Sequence, residues 1–276
     1  MCEQMTMEHK RTIEDLLETA GRTAAGSVQS LRCALEFTGR VAATILSGIV
    51  RPRSFRLPDF GAVFLRTGAE AVPVTLLVGF LLGFIIAYMS ATMLNKFGAE
   101  IYVANLIGLA LIRELGTIVA AIIIAARSAS AFAAEIGTMV VNDEIAAMRT
   151  MGIDPVRHLA LPRIAAGALA LPILSLFADL AGLVGGYITL ALFGYSAKIF
   201  LSNAFAFCSA GDLATTLAKG VVFGVLISAT GCRCGLETGA GSDAVGKATT
   251  SAVVTSLVLF VAADGLFALV SSAISA

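Results

Sequence analysis

The stretch of sequence that decides the fold runs from Leu111 to Arg163 and reads LIRELGTIVAAIIIAARSASAFAAEIGTMVVNDEIAAMRTMGIDPVRHLALPR. It opens with a long apolar run that only Arg113 and Glu114 interrupt, and its end leads into a further apolar run. A helix of about 20 apolar residues is long enough to cross a bilayer. The stretch therefore predicts two membrane-spanning helices that are joined by a polar connector.

Apolar residues dominate the whole chain of 276 residues. Hydrophobic residues make up 58% and charged residues 14%, whereas about 25% of a soluble domain is charged. This composition excludes a soluble enzyme and a disordered chain, since a globule of this size cannot bury so many apolar side chains. The 19 basic and 19 acidic residues leave no net charge, so nucleic acid is not an expected partner. The predicted fold class is an all-α, polytopic helical membrane protein.

Five segments are long and apolar enough to be membrane spans. They are predicted at residues 71–95, 101–126, 164–193, 213–230 and 249–274. Residues 1–70 differ, because they hold nine of the 19 basic residues and repeat apolar residues at helical spacing from Ile13 to Ile49. This pattern is typical of an amphipathic helix in the cytoplasmic interface, and a soluble helical cap is the alternative. The chain thus divides into an N-terminal segment, 1–70, and a transmembrane domain, 71–276.

Basic residues in the connecting segments predict the orientation. The connectors 127–163 and 231–248 would lie on the same side as the basic N-terminal segment, and both carry Arg or Lys. The other side receives only Lys96, Lys198 and, near a helix end, Lys219. Because basic connectors stay in the cytoplasm, we expect a cytoplasmic N-terminus and, after five spans, a C-terminus on the far side.

The connector contains a short amphipathic helix, predicted at residues 143–151. Asn142 or Asp143 is in position to cap its start, and Gly152 is in position to end it. Its apolar residues recur at a spacing of three: Ile145, Met148 and Met151. Two interpretations stay open. The helix either docks on a cytoplasmic partner and transmits force to the spans, or packs on its own protein.

A set of short motifs in fixed order resembles one known family. The motifs are L-x-R-E-L-G from Leu111, A-A-R-x-x-x-A from Ala125, A-E-I-G-x-M from Ala134, M-x-x-M-G-x-D-P from Met148, and G-S-D-A-V-G-K-A-T-T-S-A-V-V from Gly241. Asp264 in the last span fits as well. Over roughly residues 37–275 the sequence resembles the MlaE/YrbE family of ABC-transporter permeases, which work with MCE-domain proteins in bacterial lipid transport.

The resemblance implies partners as well as a function. Two permease copies would form a homodimer in the bacterial inner membrane, with phospholipid in an outward-facing cavity between them. A cytoplasmic ATPase would supply ATP and Mg²⁺ binding, so this chain would hold no cofactor and would not be an enzyme. A periplasmic MCE-domain protein and a STAS-domain protein are further implied partners. The residues expected to couple to the ATPase are Glu135, Glu144, Ile145, Met148, Arg149, Met151 and Asp154.

Five charged residues lie inside the predicted spans, Arg113, Glu114, Asp179, Asp264 and, near the start of the fourth span, Lys219, and each costs several kcal/mol unless it is paired or reaches water. In one interpretation Arg113 holds a lipid phosphate, with Glu114 as its counter-charge or as a dimer contact. In the other, Arg113 and Glu114 form ion pairs with another helix, for instance through Asp179 or Asp264. We expect these two Asp residues to be structural, with Ser, Thr or backbone groups as partners. Lys247 marks a basic corner on the cytoplasmic side.

Other signals point to no further chemistry. Residues 241–248 have P-loop spacing, but Ala248 stands where Mg²⁺ requires Ser or Thr. Cys232 and Cys234 lack two further ligands for zinc, so no metal site is expected. A membrane-embedded lipid-modifying enzyme would need a cluster of carboxylates or His near one interface. A stand-alone secondary transporter would need internal repeats, and five spans do not divide into two equal halves.

Overall fold

The computed structural model describes residues 57–206 and 208–275, which are helical and contain no strand. Five helices are long and apolar enough to cross a membrane. They are span 1, Phe60–Asn95; span 2, Tyr102–Val141; span 3, Val156–Leu192; span 4, Ala210–Leu236; and span 5, Ser242–Ser271. The predicted fold class, an all-α multi-pass membrane protein, is confirmed. The structure does not describe residues 1–56, so the amphipathic helix predicted in this part of the N-terminal segment stays a prediction.

The spans are built from shorter regular pieces. Span 1 joins the α-helices Leu57–Gly68 and Val72–Asn95 through a 3₁₀ turn, Ala69–Ala71. Span 2 joins the α-helices Tyr102–Ala110, Gly116–Ile124 and Ser130–Val141 through two π-helical turns, Leu111–Leu115 and Ala125–Ala129. The remaining helices are Glu144–Thr150, Leu161–Leu192 after the π-turn Val156–Ala160, Ala197–Ala204, Ala210–Leu236 and Ser242–Ser275.

Spans 1 and 2 extend beyond the bounds that the sequence predicted. Span 1 is already helical before residue 71, and span 2 continues to Val141 instead of ending at 126. Glu70 limited the predicted start of span 1 and Arg127 limited the predicted end of span 2, and Arg66 and Glu135 are the next charges along these helices. Arg66 pairs with Glu135, and Arg127 pairs with Glu70. Because these charges satisfy one another between helices, the helices continue past them.

Spans 2, 3 and 4 form the interior of the bundle. In the most apolar stretch of each helix, 61% of span 2, 61% of span 3 and 50% of span 4 is buried. The corresponding share is 22% in span 1 and 11% in span 5. Phe223 of span 4 is buried against Phe260 of span 5, with ring centroids 5.9 Å apart. Spans 1 and 5 turn large apolar side chains outward, such as Leu77 and Val258. These two outer faces suit contact with lipid or with another apolar helix.

Span 1 lies directly against span 3 at small residues. A Cβ atom added to Gly83 would be 2.0 Å from the Gly182 carbonyl oxygen, and one added to Gly79 would be 2.6 Å from that of Ala178. The hydroxyl of Thr189 donates to the Phe84 carbonyl at 3.3 Å. The Gly79 and Gly83 pair therefore provides the close helix contact that its spacing indicates.

The helix between spans 2 and 3, Glu144–Thr150, is called the connector helix below. Asp143 precedes it with a φ of 58° and forms no side-chain cap, so that part of the prediction is wrong. Its end follows the prediction. Gly152 has a φ of +75°, its N–H bonds the Arg149 carbonyl at 3.0 Å, and the Ile153 N–H bonds the Met148 carbonyl at 2.9 Å. This Schellman motif fixes the exit from the connector helix.

Candidate functional site

An ion-pair network around a buried lysine links spans 2, 4 and 5. The Lys219 Nζ lies 2.7 and 2.8 Å from the two carboxylate oxygens of Glu114, and 3.3 Å from Oδ1 of Asp264. The Lys219 side chain is 7% exposed. An ammonium buried in a membrane span is stable only when carboxylates compensate its charge. The network therefore fixes the relative positions of three spans.

Arg113 belongs to a second ion pair beside this network. Its Nε lies 2.9 Å from Oδ1 of Asp212, near the start of span 4. The Arg113 side chain is 51% exposed. The Cys208 thiol lies just before span 4, and burial, followed by the charge of Asp212, raises its pKa. This thiol is therefore protonated at neutral pH and is not a nucleophile.

The π-turn Leu111–Leu115 presents both charged side chains of span 2. A π-turn inserts an extra residue into a helix, and such turns are frequent at functional sites. The carbonyl of Ile112 accepts a hydrogen bond of 2.6 Å from the Thr216 hydroxyl of span 4. Span 4 therefore satisfies a carbonyl in this turn and also holds both neighbouring charges, through Asp212 and Lys219.

The sequence identified only part of this site. It singled out Arg113, Glu114 and Asp264, and proposed Asp264 or Asp179 as a direct partner of the first two. In the structure Asp264 reaches Glu114 only through Lys219, and Arg113 pairs with Asp212. The sequence places Lys219 near a helix end at the start of span 4, whereas in the structure it is buried within that span. The missed signal was a lysine within an apolar run, which by default marks an ion pair or a functional site.

Asp179 of span 3 has a different environment from the one predicted. It is 4% exposed, and neither carboxylate oxygen has a hydrogen-bond partner among the described residues. The expected Ser, Thr or backbone partner is therefore missing. A Cβ atom on Gly116 would be 1.8 Å from Oδ1 of Asp179. The carboxylate fits at this place only because residue 116 has no side chain. The assignment of Asp179 to a purely structural pairing has no support in these contacts.

Comparison with known proteins gives the family. The family model of permease MlaE matches residues 60–270. A probable ABC transporter permease protein of Rickettsia typhi is 34% identical over 80% of this chain and 85% of that protein. One of Synechocystis is 36% identical over 83% of this chain and 86% of its own length. The chain belongs to the MlaE permease family. It is thus an ABC-transporter permease, and the resemblance found in its motifs is confirmed.

A plant relative extends the comparison. The chloroplast protein TRIGALACTOSYLDIACYLGLYCEROL 1 of Arabidopsis thaliana is 35% identical over 72% of this chain and 57% of its own length. The lower coverage of that protein reflects its greater length. Membership of the MlaE family therefore covers bacterial and chloroplast proteins.

The permease has a second group of charges at the end where the connector helix lies, here called the connector end. Glu135 pairs with Arg66 of span 1 through Oε1, and with Arg163 of span 3 through Oε2 at 2.9 Å. The resemblance assigns Glu135 to ATPase coupling, whereas the structure places it between three spans. The guanidinium of Arg163 also lies 5.8 Å from the centre of the Phe132 ring. Glu135 therefore joins the spans at this end.

The other predicted coupling residues lie on the connector helix or beside it. Ile145 is 4% exposed and packs on the permease itself, while Met151 is 67% exposed. Asp154 caps the next turn, because its Oδ1 accepts the Val156 N–H at 3.0 Å. The exposed members of the set are Glu144, Arg149, Met151 and Asp154, with Met148 partly exposed. Lys247, near the start of span 5, is also exposed.

Proposed function

We propose that this MlaE permease moves phospholipid between the bacterial inner membrane and an MCE-protein conduit, driven by a separate cytoplasmic ATPase. The observation that carries the proposal is the half-exposed side chain of Arg113, whose Nε pairs with Asp212. A guanidinium binds a phosphate through two parallel hydrogen bonds, and the Nη atoms supply donors in that geometry. Arg113 would hold the head group of the lipid.

The ion-pair network around Lys219 keeps this arginine in place. Asp212 orients the guanidinium, and the Thr216 bond to the Ile112 carbonyl fixes the π-turn that carries it. Lys219 offsets one of the two negative charges of Glu114 and Asp264, which reduces their repulsion of an approaching phosphate. The acyl chains would lie along the exposed apolar faces of the outer spans. The Arabidopsis relative is named after a glycolipid, which supports a lipid cargo for the family.

The proposed assembly is a homodimer with the lipid cavity between the two copies. Its partners would be a cytoplasmic ABC ATPase, a periplasmic MCE-domain protein and a STAS-domain protein. The N-terminus would lie in the cytoplasm and the C-terminus in the periplasm, so the connector end would face the ATPase. Arg113 lies in the half of span 2 far from the connector helix, which in this orientation is the outer half. ATP and Mg²⁺ would be bound by the ATPase, and this chain would contribute no catalytic residue.

The lipid site is tested by Arg113→Gln in the reconstituted transporter. We expect ATP-driven transfer of fluorescent phospholipid to acceptor vesicles to fall about tenfold or more, since a charge-assisted bidentate contact is lost. Arg113→Lys keeps the positive charge but loses the paired donors of the guanidinium. Its transfer rate should therefore lie between those of the native protein and of Arg113→Gln. Lys198→Gln removes an exposed charge elsewhere and serves as the control. Native transfer rates in Arg113→Gln would refute the lipid site.

The connector helix is tested by Met151→Asp. Because Met151 is exposed and stands at the end of the connector helix, an added carboxylate should weaken the docking of the ATPase by about tenfold or more without unfolding the permease. Co-purification of the ATPase and its turnover rate measure this effect. Ser202→Asp adds the same charge on the helix Ala197–Ala204, at the opposite end, and should change neither quantity. Unchanged binding and turnover in Met151→Asp would contradict coupling through the connector helix.

A further inference from the structure

A cavity with charged side chains in its wall lies at the connector end, between spans 1 and 2. It has a volume of about 240 Å³ and is open on one side. Arg66 and Glu70 of span 1 and Arg127 and Glu135 of span 2 form its polar wall. Val63, Ala131 and Phe132 supply an apolar surface beside these charges. The cavity is separate from the Arg113 site, which lies in the other half of span 2.

The wall of this cavity displays two positive and two negative charges. Arg66 pairs with Glu135, and Arg127 pairs with Glu70, so each ion pair joins span 1 to span 2. Arg127 also donates from Nη1 to the Arg66 carbonyl at 2.9 Å. Arg66 and Glu70 are more than half exposed, so their charged groups are open to an incoming ligand. The cavity is therefore matched to a ligand that carries both a positive and a negative group.

Ser128 gives a second, independent sign of a ligand. It lines the cavity, is 4% exposed, and its hydroxyl has no hydrogen-bond partner in the described part of the chain. A buried hydroxyl without a partner is costly unless a bound group or water satisfies it. The adjacent Arg127 lies in the π-turn Ala125–Ala129, just as Arg113 lies in the first π-turn. Such turns commonly accompany functional sites.

The spacing of the two arginines places the sites at different depths. Arg113 and Arg127 are 14 residues apart on span 2. At 1.5 Å per residue this separates them by about 21 Å, within a hydrocarbon core of about 30 Å. The two sites therefore lie at different heights along span 2.

We propose that the cavity at the connector end binds the zwitterionic head group of a phospholipid from the adjacent leaflet. Arg66 and Arg127 would contact its phosphate, and Glu70 and Glu135 its ammonium. The volume equals that of about eight water molecules, which suffices for a phosphate with its ammonium group. An anionic head group would bring no partner for the two carboxylates. Inorganic phosphate would lack both the ammonium and the apolar contacts.

The test uses the absence of tryptophan from the chain. In Phe132→Trp the new residue is the only tryptophan, and an indole preserves the contact with Arg163. The full-length protein in nanodiscs is titrated with phosphatidylcholine that carries a nitroxide on its head group. We expect quenching that saturates at a low mole fraction of this lipid. In Leu65→Trp the indole is exposed at a similar depth, so its quenching should rise linearly with mole fraction.

Variants and competitors identify the source of the signal. In the Phe132→Trp background, Arg127→Gln and Glu70→Gln should each weaken the saturable phase about tenfold. Ala131→Leu fills the cavity and keeps every charge, so it should remove that phase. In the unaltered cavity, unlabelled phosphatidylethanolamine should compete, whereas phosphatidylglycerol and inorganic phosphate should not. Linear quenching in Phe132→Trp, or equal competition by inorganic phosphate, would overturn the proposal. The assay needs no ATPase, and Arg113→Gln should leave it unchanged, so it is independent of the proposed transport function.

Discussion

Replacing Lys219 by methionine is expected to be among the most damaging single substitutions in the permease. Methionine matches the length of lysine but removes the charge that Glu114 and Asp264 share. Breaking a buried ion pair costs about 3–5 kcal/mol, because the remaining charge stays buried without compensation. Glu114 is 42% exposed and reaches water, so the penalty falls mainly on Asp264, which is 21% exposed, and we expect the lower end of this range. That loss is a large share of a typical stability of about 5–15 kcal/mol.

The measurement is the temperature at which half of the detergent-purified protein loses its monodisperse elution peak. Lys219→Met should lower it strongly, and Lys219→Arg, which keeps the charge, should lower it less. The double variant Lys219→Met with Glu114→Gln should recover part of the loss, because one of the two orphaned carboxylates is gone. A Lys219→Met protein as stable as the native one would show that the network contributes nothing to the fold.

Replacing Gly83 by alanine is expected to separate spans 1 and 3. The added Cβ atom would lie 2.0 Å from the Gly182 carbonyl oxygen and 2.6 Å from its Cα atom, which no real contact allows. Both atoms are backbone, so the helices must move apart and lose contacts along the seam, including those at Gly79 and Gly185. Overpacking of this kind costs about 1–3 kcal/mol or more. Helix association within membranes depends on such close contact.

Gly61→Ala is the matched control for Gly83→Ala. Gly61 also lies in span 1, but nothing stands within 4 Å of a Cβ atom at that position. Alanine is the better helix former by about 1 kcal/mol, so Gly61→Ala should be neutral or stabilising. The two variants are compared by thermal unfolding and by yield of folded protein. If both variants had the same unfolding temperature and the same yield, spans 1 and 3 would be farther apart than in the structure.

The local parts of the fold could be predicted well from the sequence. Gly152 marks the end of the connector helix, because a positive φ favours glycine. The start was harder, since Asp143 reaches a positive φ without any side-chain cap. The extent of span 2 was also misjudged. Arg127 and Glu135 look like the end of a span to any rule based on neighbouring residues, and only their partners across the bundle allow the helix to continue.

The sequence by itself determined that the fold is all-α and that residues 57–275 contain five helices able to cross a membrane, because the apolar length of a segment decides whether it can span a bilayer. It also determined the family, through motifs that lie in fixed order. Only the tertiary structure decided which charges meet. Lys219 stands 105 residues from Glu114 and 45 from Asp264, and Arg66 stands 69 from Glu135. Such pairs depend on how the spans pack, and the packing is set by small residues distributed over the whole chain.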